Sequence, residues 1–417
     1  MNTTMPGGGG RFAALRYRNF TLLWTGLIVS NVGTWMQNVG QGWLVLQLTN
    51  SPLWLGLLGL SFALPMILLP LVGGAVVDRV HRIRLLYITQ TGQMLNAFAL
   101  ALLTWLGVVN VWHILITSFI GAALLSFDNP ARQALFPDLV PPRDLLNAMS
   151  LNAATYNGAA LLGPGIAGLL LGPVGAGTLF FMNGVTYLAV LFALAAMRDV
   201  RTHSGGSSHA PLGEAMLTGL AYAWHTRRVL ALLGLSALAA IFGRSYQNLL
   251  PIFARDIWHG GPEGYGLLLS AAGGGALVGA FGLAAISHLR RQGAVMIASG
   301  WLFSASVIAL ALSRSLVLGI VLQFIGGVTS TILGTVAATF IQVATPNELR
   351  GRVMSLYAIT LIGLPALGAL GSGASAELLG GIDGAPHAVL IGGAIVGLIL
   401  IVAAPFFWRR SMVISGA

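Results

Sequence analysis

Apolar residues along this chain neither alternate nor keep to one helical face; they gather into nearly unbroken runs of about 20 residues or more. A polar start carries Arg11, Arg16 and Arg18, and a first run follows from about residue 19. Others lie near 53–77, 85–107, 111–136, 144–171 and 175–197. A polar stretch with Ser204-Gly205-Gly206-Ser207-Ser208 interrupts them, and six more runs follow near 229–257, 264–287, 293–312, 316–343, 349–379 and 386–408. A helix needs about 20 apolar residues to cross the hydrocarbon core, so each run predicts one span. The first is too long for a signal-peptide core, and Asn31, Gln37, Asn38 and Gln41 make it too polar, so it predicts a retained span. The pattern therefore predicts an all-α integral membrane chain of twelve transmembrane helices in two pseudo-symmetric six-helix bundles. The expected layout is a tail at 1–18, a bundle at 19–197, a linker at 198–228, a bundle at 229–408 and a tail at 409–417.

Composition excludes a soluble alternative. Charged residues are 8% of the 417, against about 25% in ordinary globular proteins. Hydrophobic residues reach 56%, more than 32 charges can keep wetted on a water-soluble exterior. The 21 basic residues are all arginine, against 11 acidic ones. On a soluble chain that surplus would suggest nucleic acid; on a membrane chain it should collect in cytoplasmic loops, and no nucleic-acid partner is expected. With the N-terminus in the cytoplasm and sides alternating, eighteen arginines fall inside, Arg255 and Arg314 outside, and Arg244 within a span. This asymmetry predicts both termini in the cytoplasm.

The same inventory removes most enzyme classes. There is no Cys, no Lys for a Schiff base or P-loop, and no His-Glu-x-x-His pair, so neither metal, cofactor nor catalytic residue is expected. The halves also repeat one another. Met149-Ser150-Leu151, Gly158, Gly163 and Gly168 recur 205 residues later as Met354-Ser355-Leu356, Gly363, Gly368 and Gly373. Repeated halves in a membrane protein place a substrate site between them near the midplane, which favours a transporter over an enzyme or receptor.

The loop after the second span reads Gly73-Gly74-Ala75-Val76-Val77-Asp78-Arg79-Val80-His81-Arg82. An Asp among arginines at a helix end accepts charge-assisted hydrogen bonds or faces a helix N-terminus, and Gly74 lets a neighbour approach. Ordinary loop charge explains the arginines but not the Asp with its upstream Gly-Gly. Here the chain resembles the major facilitator superfamily, whose second loop carries a Gly-x-x-x-Asp-Arg-x-x-Arg-type motif matched by Gly74, Asp78, Arg79 and Arg82. The resemblance implies a cytoplasmic gate lock in which the second arginine pairs with a fourth-helix acid, a role that Asp128 fits. In the second half, Ile286 stands where the Asp would be, so gate chemistry is expected mainly in the first.

The fifth span contains Gly158, Gly163, Pro164 and Gly168, with Ala160, Pro164, Gly168 and Gly172 spaced at i+4 as a smooth packing stripe. Packing alone explains the stripe. The pattern also resembles the Gly-Pro fifth-helix motif of proton-coupled exporters in the superfamily, which implies efflux. Asp128-Asn129-Pro130-Ala131-Arg132-Gln133 and Gly243 to Pro251 are similar to the subgroup that includes bacterial siderophore exporters and related efflux proteins.

Polar residues inside spans complete the picture. Asn31, Thr34, Asn38 and Gln41 share one face of the first helix, which either lines a cavity or hydrogen-bonds another helix. Gln93, Asn96, Asn157, Asn183, Gln323 and Thr360 read as interhelical glue. Arg244 is a charge within the seventh span, and an intramembrane ionisable group is a functional-site candidate. Either it holds an anionic or catecholate substrate with Tyr246 and Gln247, or it serves backbone carbonyls or the acids Asp256 and Glu377. The expected function is a monomeric, proton-driven exporter of siderophores or amphipathic drug-like molecules in the bacterial inner membrane. An uptake symporter or a lipid flippase of the same fold, and a non-transporting receptor or scaffold, are the alternatives. Apart from Asp128 and Asp78 at the gate and the terminal Glu377, the spans offer no obvious proton carrier.

Overall fold

The computed structural model describes residues 12–69, 80–198, 220–285 and 292–408. A short 3₁₀ turn, Ala13–Arg16, leads into α1 (Arg18–Thr49). Asn50 ends α1 in the left-handed conformation (φ 48°), one of the residues that tolerate it, and α2 (Pro52–Leu68) begins at once with proline in its first turn. Then come α3 (Arg82–Trp105) and α4 (Val111–Leu139), the latter opened by a capping box between Asn110 and His113. The run Pro142–Ala196 breaks at Gly175 (φ 76°) and comprises α5 (142–174) and α6 (176–196). The second half contains α7 (Arg227–Ile257), α8 (Gly261–Ala285), α9 (Gln292–Leu312), α10 (Leu316–Ala344), α11 (Asn347–Leu378) and α12 (Ala385–Trp408).

Among the described residues, eight helical segments are long and apolar enough to cross a membrane, with α5 and α6 counted together as the single run Pro142–Ala196. Helices α1 and α3 are also long, at 32 and 24 residues, but carry more polar side chains. Outward faces are apolar, as at Leu378, Leu169, Phe281 and Val317, which suits contact with lipid rather than water.

Lipid tails are as apolar as leucine, so burial of apolar area does not hold such helices together; close van der Waals packing does. Glycine supplies it throughout. Within the first half, α1 packs on α5 and α6, α3 on α4 and α6, and α2 on α4. A Cβ at Gly26 would lie 2.9 Å from the Ala189 carbonyl oxygen of α6. Within the second half, α8 and α9 pack on α10, α9 on α12, and α7 on α11. A Cβ at Gly275 of α8 would run into the Phe324 carbonyl of α10, and one at Gly279 would lie 2.6 Å from that of Val328.

The halves meet along two seams related by the sequence repeat, α5 with α8 and α2 with α11. In the first, Cβ atoms at Gly168 and Gly273 would lie 2.9 Å from Gly266 Cα and 2.6 Å from the Ala160 carbonyl oxygen. In the second, those at Gly56 and Gly373 would lie 2.6 Å from the carbonyl oxygens of Ala369 and Pro52. The i+4 stripe of the fifth span is thus the surface that the second half rests on. At the end bearing the α1–α2 turn, polar contacts finish the join. Glu377 Oε2 accepts from Ser51 Oγ (2.7 Å) and Leu53 N (3.4 Å) at the start of α2, while Arg255 donates to the Leu46 carbonyl (3.2 Å) near the end of α1. Each charge has the sign that its helix terminus favours.

Two leucine substitutions separate the roles of these glycines. Gly275→Leu overpacks the second bundle, which costs about 1–3 kcal/mol, and should lower the melting temperature of the purified protein. Gly266→Leu props the seam open and should leave membrane levels near normal while abolishing transport.

Candidate functional site

Helix α7 is discontinuous. Ala239–Gly243 forms a π turn and Ser245–Leu249 a 3₁₀ turn, with Arg244 between them at φ −103°, ψ −13°. Pro251 gives a local cause, because its ring crowds the carbonyl of residue 247 and it has no N–H to donate there. Gly243 lets α9 approach, since a Cβ would lie 2.8 Å from Phe303 Cε1. In membrane transporters such breaks occur where the backbone is shielded by protein or lines a cavity.

A cavity of about 510 Å³ lies beside this break, between the halves. Trp35 of α1, Tyr156 and Asn157 of α5, Arg244 and Gln247 of α7 and Tyr357 of α11 line it, with hydroxyl-bearing residues of α10. Cα packing of α5 on α8 begins at Ala160 and Gly273 and continues to Gly172, which sits against Glu263. Towards the start of α5 the halves part: Gly158 has nothing near its Cβ position, and Tyr156 is 56% exposed. The cavity is therefore closed on the side of the α1–α2 turn by the seams.

Arg244 is exposed into this space and has no hydrogen bond or ion pair among the described residues. The acids weighed as its partners are engaged elsewhere, Asp256 with Arg255 (3.0 Å) and Glu377 with the start of α2. Gln247 joins Arg244 at the cavity wall. Tyr246 does not; it is buried, and its hydroxyl donates to Gln323 Oε1 of α10 (2.8 Å).

The polar face of α1 turns elsewhere. None of Asn31, Thr34, Asn38 and Gln41 lines the cavity. Asn31 donates to its own helix at the Leu27 carbonyl (2.8 Å), and Thr34 bonds the Ser30 carbonyl and meets Tyr187 Oη of α6 at 3.2 Å. Asn38 is exposed, and Gln41 is buried with its Nε2 unpartnered. Tyr187 in turn donates to Gln93 Oε1 of α3 (3.0 Å), and Asn183 donates to Gln37 Oε1 of α1 (2.7 Å). Part of this face is thus interhelical bonding, and Trp35, next to it, is the residue of α1 that reaches the cavity.

Along α5, Gly163 serves α1, since a Cβ would lie 2.6 Å from Trp35 Cβ, whereas Gly168 serves α8. Pro164 is buried against Gly266. The motif therefore presents one helix to both neighbours.

Of the gate motif, Gly74, Asp78 and Arg79 lie outside the described residues. Arg82 opens α3 and pairs with Asp138 (2.6 Å), also donating to the Ala134 carbonyl (2.9 Å). Asp128, expected as the acid for this arginine, is not its partner. Helices α3 and α4 run antiparallel, so the start of α3 lies level with the end of α4. Asp128 is ten residues, or about 15 Å, further in. There it is fully buried, accepts from Thr89 Oγ1 and Gln90 Nε2 (both 2.8 Å), and pairs with Arg132 at 2.7 Å. That pair is close but poorly aligned as a hydrogen bond, so Coulomb attraction rather than donor geometry holds it.

Residues that the sequence did not single out are Trp35, Tyr156, Tyr357, Ser330, Thr331 and Thr335, and Asn157 turns out to face the cavity rather than another helix. Aromatic and small hydroxyl residues are routine in membrane helices, and only the rotation of each helix distinguishes a wall from a lipid face.

Comparison with known proteins adds to this geometry. The sequence profile of the transmembrane secretion effector family, part of the major facilitator superfamily, matches residues 9–410. The chain belongs to this family. A multidrug efflux pump, Tap of Mycolicibacterium fortuitum, is 26% identical over 92% of this chain and 94% of its own. The staphyloferrin A transporter of Staphylococcus aureus is 24% identical over 84% and 87%. The nucleoside transporter NupG shares the fold, with a TM-score of 0.75 at 14% identity over 95% of this chain and all of that one. The protein is a multi-pass membrane secondary transporter of small molecules rather than an enzyme, and its named relatives include a siderophore transporter and a multidrug efflux pump.

Removing the Asp128 carboxylate strands Arg132 in the first bundle. Asp128→Ala should cost about 3–5 kcal/mol, read as a fall in the melting temperature of the purified transporter, with Asp128→Asn less severe.

Proposed function

We propose that this transporter is a proton-driven exporter of siderophores or amphipathic drug-like molecules, acting by alternating access in the bacterial inner membrane. The observation that carries the proposal is the one-sided cavity between the halves, closed by glycine seams at one end and holding Arg244 at a broken helix. Twelve spans in bundles at 19–197 and 229–408, joined by the 198–228 linker, put both termini in the cytoplasm by arginine asymmetry, and the cavity then faces inward. Rocking one half on the other would open the α5–α8 and α2–α11 seams and release cargo outward. The contacts made by Glu377 and Arg255 would break in that step. The chain acts as a monomer, with protons and a small molecule as its partners and no nucleic acid. Gly74, Asp78, Arg79 and Arg82 form the cytoplasmic lock, with Asp138 taking the second arginine and Asp128 bracing α3 against α4.

Everted membrane vesicles with an acid interior test this reading. A catecholate siderophore or an amphipathic anionic dye should accumulate, and accumulation should collapse with the gradient and fail in Asp78→Asn. Arg244→Ala should raise KM by about tenfold or more, as expected for loss of a charged hydrogen-bonding group worth about 1.5–3 kcal/mol. Accumulation of neither probe would sink the export assignment.

A further inference from the structure

The cavity has a charge imbalance that bears on what it can hold. Its wall carries one cation, Arg244, and no carboxylate among its described lining residues. Asp256 and Glu377 are engaged with Arg255 and with the start of α2, and no described residue gives this guanidinium a hydrogen bond or an ion pair. A buried arginine with a structural role is ordinarily satisfied by carbonyls or an acid, because an unpaired charge at membrane depth is costly. Arg244 instead points into open space from a broken helix, where water or a ligand must complete it.

The rest of the wall narrows the ligand further. Trp35 and Tyr156 stand edge to face, with ring centroids 5.9 Å apart, and Phe303 and Tyr357 line other parts of the same wall. Thr331 and Thr335 face the cavity and make no side-chain hydrogen bond among the described residues. The space, about 510 Å³, falls in the range of pockets that enclose small organic molecules. An aromatic wall, two free hydroxyls and one fork of guanidinium donors match a cargo with an apolar body and a single oxyanion.

We propose that the cavity selects amphipathic monoanions, with the carboxylate or equivalent oxyanion of the cargo on the Arg244 guanidinium and its apolar body against Trp35 and Tyr156. The proposal rests on the cavity being the transport site and names the cargo class for it. A cation of the same size would meet Arg244 with no carboxylate to offset it, and a polyanion would bring charges that nothing in the wall matches. Selection by charge thus follows from one residue and from the absence of a carboxylate among its described neighbours, and it divides the drug-like molecules that shape alone would admit.

The test is equilibrium binding rather than transport, so that it stands apart from the export assignment. Phenylbutyrate, phenylbutyramide and phenylbutylamine share one apolar body and differ in charge. Each is titrated calorimetrically into the purified full-length protein, wild type, Arg244→Gln and Arg244→Lys. The acid should bind wild type at least about tenfold tighter than the amide, a difference of about 1.4 kcal/mol, and the amine weakest of the three. Arg244→Gln should reduce the acid to the affinity of the amide and leave the amide unchanged, whereas Arg244→Lys should restore part of the preference. Should Arg244→Gln fail to fold, the wild-type ranking and the lysine variant still decide. The proposal is overturned if the amine binds as well as the acid, if the acid shows no preference over the amide or no binding at all, or if Arg244→Gln keeps the preference. Selective acid binding by a protein that moves nothing in vesicles would keep this inference and remove the export one.

Discussion

Everything in this fold depends on how closely helices can approach where solvent exerts no squeeze. Inside a bilayer the apolar surface gains nothing by leaving lipid, so cohesion falls to contact packing and to the few polar groups that find partners. Glycine opposite a backbone carbonyl is the recurring solution, at Gly275 and Gly279 within a bundle and at Gly56, Gly168, Gly273 and Gly373 between bundles. The contacts within a bundle make a rigid body. The same chemistry between bundles makes a joint, in which backbone contact at glycine is supplemented by side chains such as Ser270, whose Oγ donates to the Leu161 carbonyl (2.6 Å).

The two halves divide the polar work unequally. The first is cross-linked by a buried network: Asp128 with Arg132, Thr89 and Gln90, then Gln93, Tyr187 and Thr34, with Asn183 and Gln37 alongside. The second contributes the irregular helix, the unpartnered arginine and most of the cavity wall. The first half is thus the more cross-linked body, and the second carries the broken helix that the cavity lies beside. The join at the α1–α2 end is lightly tied. Its charges, Glu377 and Arg255, rest on helix ends rather than on opposite charges across the seam, and such contacts are individually modest.

Much of this was legible in the residues. Run lengths, the eighteen-to-two arginine asymmetry and the 205-residue repeat sufficed for an all-helical membrane chain with related halves, because lipid imposes length and composition on any span regardless of its neighbours. Family membership followed from short motifs, and the small-residue stripe of the fifth span was visible as spacing. Arg244 stood out because a charge within a span is rare enough to need a reason.

What the sequence could not determine is rotation and level. Asn31, Thr34, Asn38 and Gln41 share a face, but whether it meets α6 or a cavity depends on where α6 lies, and Trp35 one position along is the residue that reaches the lumen. Tyr246 and Gln247 are adjacent, yet one is tied to Gln323 and the other faces the cavity, a split made by the 3₁₀ turn. Arg82 finds Asp138 rather than Asp128 because two antiparallel helices slide into one register, and a separation of ten residues along a helix is beyond a side chain's reach. Periodicity within one helix says which residues share a face; only the packing of several helices says what that face looks at.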